Sequence, residues 1–235
     1  SYIYIYKILD FDSEFPLIKK ITFDSEVNCV ASSKKKLTVA HSFDMDGSMK
    51  GVCWLITWKD LISMSEKELI GFDSKGLMNS DEASKKADRK AGTITYSKSD
   101  LVGQNKAIAF PPLSNVIMTC DVVDEVPKVE HDGFEDVTGQ EDEIIPMVAY
   151  GGLDGYVNVF DLCNLLDKES KLKRLARKKH QMEGAKAAVR TCKFIPGSGY
   201  LAVAGDFRGV LVYDAQRNCR LMHSISTDIQ GIINP

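Results

Sequence analysis

An ungapped internal repeat constrains the fold of this chain more than any other feature of its sequence. The segment GGLDGYVNVFD, residues 151–161, aligns with AGDFRGVLVYD, residues 204–214, at an offset of 53 positions. The aligned pairs are Gly152 with Gly205, Val157 with Val210, Val159 with Val212, Phe160 with Tyr213 and Asp161 with Asp214. Each copy predicts a small-residue strand, a tight turn and a second strand, so the repeat indicates stacked copies of one supersecondary unit.

Two weaker copies lie earlier in the chain. Tyr6-Lys7 and Trp58-Lys59 each end a strand-like run with an aromatic and a charged residue, and they are 52 positions apart. The segment TITYSKSDL at 93–101 resembles LITWKDL but lacks the strand and turn that should precede it. We therefore favour one unit with insertions over two units between Trp58 and Phe160.

Short runs of β-branched and aromatic residues, bounded by Gly, Pro, Asp or Ser, predict a mostly-β chain. Two stretches alone predict helices, Ser80–Lys90 and Leu165–Met182. The predicted strands are Tyr2–Ile8, Leu17–Phe23, Val27–Ala31, Leu37–Ser42, Val52–Trp58, Val116–Val123, Met147–Tyr150, Tyr156–Phe160, Val189–Phe194, Tyr200–Ala204 and Val210–Tyr213.

The repeat resembles the WD40 repeat of β-propellers. Its best copy runs from Val189 to Ile225, and Asp154 falls where the family places a turn aspartate. The resemblance implies an all-β propeller of four-stranded blades. Residues 1–235 would form part of one, about four to five blades, with long charged insertions at 73–104, 121–143 and 163–184. A chain that opens in mid-strand with "SYIYIYKILDF" fits this expectation of a fragment.

The sequence departs from the family pattern in three ways. No Gly-His dipeptide precedes a repeat, Lys7 and Lys59 replace the terminal aspartate, and Asp206 lies one place from the turn position that Asp154 occupies. The buried Asp-His-Ser-Trp hydrogen-bond network of the family is therefore not expected. We predict that these blades depend on packing.

Two insertions carry opposite charge. Residues 121–143 hold ten carboxylates and one lysine, and residues 168–179 hold seven Lys/Arg and one Glu. The first predicts a loosely ordered acidic loop, and the second a short basic helix. The basic segment fits a nuclear-import signal, a phosphate contact or a solvated connector. Candidate interaction residues are Lys171, Lys173, Arg174, Arg177, Lys178, Lys179, Glu130, Asp132, Glu135 and Asp136.

Net charge, the longest apolar run and the cysteine spacing limit which partners and which cellular location are expected for this protein. The net charge of −3 gives no global attraction to nucleic acid or anionic membrane. The longest near-apolar run, GVCWLITW, is too short to span a bilayer. Six cysteines without C-x-x-C spacing predict reduced thiols, which favours the cytoplasm or nucleus.

No catalytic, metal or cofactor motif stands out. FDMDGS resembles the start of a calcium loop, but Cys53 occupies the place of the required bidentate glutamate, so a turn between strands explains it better. The four histidines are scattered and no nucleophile elbow occurs. Trp54 and Trp58 are predicted to share one strand face and to pack between blades.

The sequence thus predicts a non-catalytic WD40-like scaffold for protein–protein interactions inside an intracellular assembly, without cofactor or membrane insertion. The first alternative is a nucleic-acid-associated subunit that contacts RNA or DNA through residues 168–179. The second is a propeller enzyme with a site in the central channel.

Overall fold

The computed structural model describes residues 1–6, 16–23, 25–63, 70–72, 94–97, 107–125, 146–162, 171–179, 181–182, 185–217 and 219–226. These residues form β-strands and one short helix, α1 (Trp58–Ser63). The predicted all-β class is confirmed. The helix predicted at Ser80–Lys90 lies outside the described residues. No helix in the described part of the chain is long and apolar enough to cross a membrane.

The strands form four larger sheets and one two-stranded ribbon. Sheet I has the order β1-β2-β6, sheet II β3-β4-β5-β8, sheet III β7-β12-β11-β10-β9 and sheet IV β15-β16-β17-β18, and the ribbon is β13-β14. All pairs are antiparallel except β2 with β6. The strands are β1 (Tyr2–Tyr6), β2 (Leu17–Phe23), β3 (Glu26–Ser32), β4 (Lys36–Met45), β5 (Ser48–Thr57), β6 (Ile70–Phe72), β7 (Ile94–Ser97), β8 (Ile108–Ala109), β9 (Ile117–Val123), β10 (Met147–Gly152), β11 (Tyr156–Asp161), β12 (Lys171–Lys179), β13 (Gln181–Met182), β14 (Ala185–Lys186), β15 (Val189–Phe194), β16 (Tyr200–Gly205), β17 (Phe207–Asp214) and β18 (Arg220–Ile225).

Sheets III and IV repeat one hydrogen-bond register. In β10–β11, Val148 lies opposite Phe160, and in β16–β17, Leu201 lies opposite Tyr213, 53 positions later in both strands. The match extends over five consecutive pairs. Because a one-residue slip would exchange the two faces of a strand, the ungapped alignment correctly predicted which residues are equivalent.

The bulges repeat as well. Strands β3, β9 and β15 each carry one unpaired bulge residue near the start of the strand. These residues are Asn28 in β3, Met118 in β9 and Arg190 in β15. The last strand of the repeat carries another: Ile18 in β2, Leu175 in β12 and Met222 in β18. Bulges bend and twist a strand at a defined place. Sheets II, III and IV are therefore copies of one unit, and β1–β2 corresponds to its outer half.

Consecutive sheets pack face to face through three apolar cores. Sheet I packs on sheet II, with Ile21 and Phe23 against Trp54 and its neighbours. Sheet II packs on sheet III around Phe110 and Phe160, whose ring centroids are 5.0 Å apart. The third core lies between sheets III and IV. The central strands β4, β5, β10 and β11 are buried on both faces over most of their length, so they are apolar on both sides. The described residues show a series of sheets and no closed ring.

Glycine is required at one position of the repeat in sheets III and IV. A Cβ atom on Gly152 would overlap the carbonyl oxygen of Val116, and one on Gly205 would overlap that of Ala188. Val116 immediately precedes β9, and Ala188 immediately precedes β15. The two carbonyls accept backbone hydrogen bonds from Leu153 and Asp206, the residues that follow the two glycines. The repeated glycines thus permit close approach of two backbones.

The helix predicted for Leu165–Met182 is wrong over the described part of that range. Lys171–Lys179 forms β12, which pairs with β11 on one side and β7 on the other. Ladder hydrogen bonds to a buried neighbouring strand outweigh the weak local helix propensity of this segment. Ile94–Ser97, in the segment TITYSKSDL, forms β7, which pairs with β12 in sheet III instead of ending a separate unit.

The equivalence predicted for Trp58 is also wrong. Strand β5 ends at Thr57, and Trp58 begins α1. The register places Ile56 at the position of Phe160, so the copy in sheet II has no aromatic residue there. Trp54 and Trp58 therefore do not share a strand face. Trp54 packs between sheets I and II as predicted.

Candidate interaction surfaces

Strand β12 carries the basic candidate residues Lys171, Lys173, Arg174, Arg177, Lys178 and Lys179. The structure therefore brings all six onto one extended strand between β11 and β7. Register places Lys178 opposite Val157 and Arg177 opposite Asn158, so basic residues occupy positions of both faces. A strand of this kind spreads its residues over about 3.3 Å each, more than twice the rise of a helix.

The acidic candidate residues Glu130, Asp132, Glu135 and Asp136 lie outside the described residues. The first residue of the acidic segment, Asp121, belongs to the described part of the chain and holds two sheets together. Asp121 is in β9 and accepts a hydrogen bond of 2.7 Å from the backbone N–H of Phe194 in the next sheet. Its other carboxylate oxygen lies 3.4 Å from Lys193 Nζ. The loose acidic loop predicted from residue 121 is therefore wrong for its first residues.

Asp124 and Lys36 form a nearly buried ion pair between sheets II and III. The Lys36 Nζ atom lies 2.7 Å from Asp124 Oδ1, and each side chain is 9% exposed. Asp124 also accepts the backbone N–H of Lys35. Burial raises the pKa of this carboxyl, but hydrogen bonds from Lys36, Ser33 and Lys35 outweigh that effect and lower the pKa below its usual value. The pair fixes sheet III against the β3–β4 turn.

A hydrogen-bond chain, Ser25–His41–Trp54, runs through sheet II. Trp54 Nε1 donates to His41 Nε2 at 2.7 Å, and Ser25 Oγ lies 2.6 Å from His41 Nδ1. An indole N–H only donates, so His41 Nε2 must accept and the ring is neutral, with its proton on Nδ1 toward Ser25. His41 is fully buried and occupies the register position of Gly152 and Gly205.

The prediction that the sheets depend on packing is therefore incomplete for sheet II, where a buried hydrogen-bond chain is also present.

We expect Trp54→Phe to lower the free energy of unfolding by about 1–3 kcal/mol, because it removes the hydrogen bond that the buried His41 Nε2 accepts. Trp58→Phe is the matched control, since the Trp58 indole donates to Ser33 O from a half-buried position. Urea denaturation of both variants checks the difference, and equal losses would contradict it.

Asp154, in the β10–β11 turn, accepts three hydrogen bonds. It is buried, and its carboxylate accepts hydrogen bonds from the N–H and Oγ of Ser114 and from the N–H of Tyr156. It therefore ties the β10–β11 turn to the segment before β9. Asp206, one position earlier in the repeat, instead forms a bidentate pair with the bulge residue Arg190 at 2.8 and 2.9 Å. The one-position offset between Asp154 and Asp206 in the repeat thus accompanies a change of hydrogen-bond partner.

The Asp46-Gly47 turn has no calcium-loop geometry. Met45 pairs with Ser48 across a two-residue turn, and Asp46 and Gly47 both have positive φ, 51° and 78°. Asp44 Oδ1 accepts the N–H of Gly47. This is a tight hairpin turn, as the sequence predicted. Within the described ranges, no three His, Cys, Asp or Glu side chains are placed to hold a metal ion.

Cys29 and Cys120 are in contact where β3 adjoins β9, and Cys192 lies in the core between sheets III and IV. The Cys120 N–H lies 3.4 Å from Cys29 Sγ, and Cys192 is fully buried. The hydrogen bond with Cys120 and burial both raise the pKa of Cys29 well above its usual value, and burial raises that of Cys192 to about 12. These groups are neutral thiols, which lack the nucleophilic thiolate. Cys29, Cys53, Cys120, Cys192 and Cys219 are free.

The hairpin β1–β2 exposes large apolar side chains on one face. Tyr2, Tyr4 and Tyr6 are 56%, 48% and 51% exposed, and Leu17 and Ile18 are also exposed. Lys20 Nζ lies 3.9 Å from the centroid of the Tyr2 ring, in a cation–π contact. Clustered exposed apolar residues mark interaction sites. The alternation of tyrosine with isoleucine in YIYIY is the sequence signal that could have identified this face.

No known family matches the chain when it is compared with family descriptions, and no significant relative is found among curated proteins.

Proposed function

We propose that this chain is a WD40-like propeller, or part of one, that acts as a non-catalytic scaffold for protein–protein interactions. The observation that carries the proposal is the shared register and bulge pattern of sheets II, III and IV. A repeated sheet that buries both faces against its neighbours is the building principle of propellers. A preordered surface of this kind loses little conformational entropy when a partner binds.

The segments between the strands supply the variable chemistry. The acidic residues that follow β9 in the sequence and the basic strand β12 belong to the same repeat, in which β10 and β11 separate β9 from β12. Loops and outer strands on a rigid scaffold are where binding residues concentrate. We propose protein partners within a larger assembly of the cytoplasm or nucleus.

The test of the scaffold is a charge variant that leaves the strands unchanged. Glu130, Asp132, Glu135 and Asp136 are replaced by their amides, and the proteins that co-purify with the tagged chain are identified. The scaffold proposal expects a defined set of partners to be lost while the thermal transition is retained. An unchanged partner set in this variant and in the β12 variant below would contradict it.

A second candidate function is contact with RNA or DNA through β12. Six Lys/Arg in nine residues of one extended strand favour it, because alternate residues of a strand repeat about every 6.6–6.8 Å and clustered cations release phosphate counterions. No aromatic residue lies in β12, which disfavours reading of stacked bases. Binding would therefore depend on charge.

We expect replacement of the six basic residues of β12 by glutamine to abolish such binding. The unmodified chain should bind a single-stranded oligonucleotide with a log–log salt slope of about −2, at about 0.7 for each of the three basic positions on one face of β12. The control replaces exposed basic residues elsewhere, Lys34, Lys59, Arg208 and Arg220. Binding that is insensitive to salt, or equally reduced in the control, would remove this candidate.

A further inference from the structure

Neighbouring sheets are joined twice by the same hydrogen bond between their first strands. The backbone N–H of Cys192 in β15 donates to Thr119 Oγ1 in β9 at 3.2 Å. One sheet earlier, the backbone N of Cys120 in β9 lies 3.4 Å from Cys29 Sγ in β3. Cys29 and Thr119 each directly follow the bulge residue of their strand, and Cys120 and Cys192 each come one position later. The repeat therefore builds the same junction with two different acceptor side chains.

The two junctions differ in their chemistry. Between sheets III and IV, the thiol of Cys192 faces a hydroxyl, with its Sγ 3.8 Å from Thr119 Oγ1. Between sheets II and III, Cys29 occupies the place of that threonine, and its thiol is hydrogen-bonded to the thiol of Cys120. A thiol and a hydroxyl form no disulfide, whereas two thiols in contact do. Of the two junctions, the one between sheets II and III alone holds such a pair.

The thiol pair is accessible from one side. Cys29 is partly exposed, whereas Cys120 is buried. Cys29 Sγ and Lys193 Nζ approach the same atom, the carbonyl oxygen of Cys120, at 3.8 and 3.2 Å. An accessible thiol beside a second, resolving thiol is the arrangement found at reversible disulfide sites.

The protonation of Cys29 affects the rate of its oxidation. The hydrogen bond with the Cys120 thiol and burial raise the pKa of Cys29, while the Cys120 N–H and the Lys193 ammonium act in the opposite direction with smaller effects. Since the thiolate is the attacking species, a raised pKa slows thiol–disulfide exchange at neutral pH. We therefore expect the pair to respond to sustained oxidation and to be insensitive to brief exposure.

We propose that Cys29 and Cys120 form a redox-sensitive pair that closes a reversible disulfide between sheets II and III. The oxidant is a low-molecular-weight disulfide, oxidised glutathione. The Cys29 sulfur attacks its S–S bond, which breaks and releases one glutathione thiol. The Cys120 sulfur then attacks the Cys29 sulfur of the mixed disulfide and releases the second glutathione. Two protein thiols are oxidised, one glutathione disulfide is reduced, and the two protein thiol protons are balanced by those of the two glutathione thiols.

The disulfide stabilises the contact between sheets II and III. It joins residues that are 91 positions apart in the sequence, and a crosslink that closes a long loop strongly restricts the unfolded chain. The stability of this junction therefore depends on the redox state, whereas the equivalent junction between sheets III and IV does not respond.

The test equilibrates the full chain overnight in reducing and in oxidising glutathione buffers, and an alkylating reagent then traps the free thiols. We expect the oxidising buffer to remove two free thiols without leaving attached glutathione. Trypsin should release one linked peptide pair, because residues 21–34 and 107–128 each contain a single cysteine. The urea midpoint of the oxidised chain should rise by about 1 M or more and return when reductant is added.

The decisive variant is Cys29→Ser. Serine keeps an acceptor for the Cys120 N–H, as Thr119 does for Cys192, so the reduced variant should unfold near the midpoint of the reduced unmodified chain. It should give no linked peptide, and its midpoint should not depend on reductant. Cys192→Ser is the matched control and should keep the linked peptide. Linkage of Cys120 to Cys53, whose thiol also contacts it, would overturn the proposal. A lasting glutathione adduct on Cys29, or an unchanged thiol count in the oxidising buffer, would also overturn it.

Discussion

The Asp124→Asn substitution is expected to lower the free energy of unfolding by about 3–5 kcal/mol at neutral pH. The change leaves the Lys36 ammonium, 9% exposed, without its carboxylate at 2.7 Å, and removal of one partner from a buried ion pair has a cost of this order. Urea denaturation followed by tryptophan fluorescence measures the effect. The neighbouring pair Lys35–Glu125 is exposed and 3.9 Å long, so Glu125→Gln should cost about 0–1 kcal/mol.

The same carboxyl predicts a pH dependence. Its pKa in the folded chain is lowered, from an ordinary value near 3.9 in the unfolded chain. A lowered folded pKa stabilises the fold above the unfolded value, and the stabilisation is lost as pH falls through the folded pKa. The difference in stability between the unmodified chain and Asp124→Asn should be constant above about pH 5 and shrink at lower pH. A difference that stays constant into acid would contradict the assignment.

Replacement of Tyr213 by alanine should lower the free energy of unfolding by about 3–5 kcal/mol, the range for large aromatic truncations in a core. Tyr213 is 8% exposed and packs between sheets III and IV. Burial also raises the pKa of its phenol to about 12. The substitution removes apolar contacts to both sheets and leaves a cavity.

Tyr6→Ala is the matched control for Tyr213→Ala. Tyr6 occupies the same register position in the repeat and loses the same atoms, but it is 51% exposed. We expect Tyr6→Ala to change the free energy of unfolding by about 0.5 kcal/mol or less. Similar losses in the two variants, measured by urea denaturation, would show that the β1 face is covered in solution or that the core at Tyr213 is loosely packed.

Local sequence predicted the strands of the repeat well because their signals are local. Alternating apolar residues around Val157 and Val210, and turns at Asp46-Gly47 and Asp154-Gly155, fix strand and hairpin without reference to distant residues. The equivalence of Gly152 and Gly205 followed from the same pattern. The reason why glycine is needed there is that a Cβ atom would overlap the carbonyl oxygen of Val116 or Ala188. The sequence does not show this close approach.

Other features depended on neighbours far along the chain. The basic segment Lys171–Lys179 has residues suited to a helix, but it pairs with β11 and β7. An aromatic residue followed by lysine can end a strand or begin a helix. The pattern at Trp58-Lys59 therefore predicted a strand end where α1 begins. The register, which moves the equivalent position to Ile56, is a property of paired strands.

The sequence by itself determined the all-β class and the 53-residue repeat of the unit. These follow from residue periodicity and turn chemistry, which act over a few positions. Tertiary structure alone decided which distant side chains meet: His41 with Trp54 and Ser25 within sheet II, and Lys36 with Asp124 between sheets II and III. It also decided that, among the described residues, β1 pairs only with β2. Contacts between residues separated by many positions arise from packing and register, and an isolated sequence pattern specifies neither.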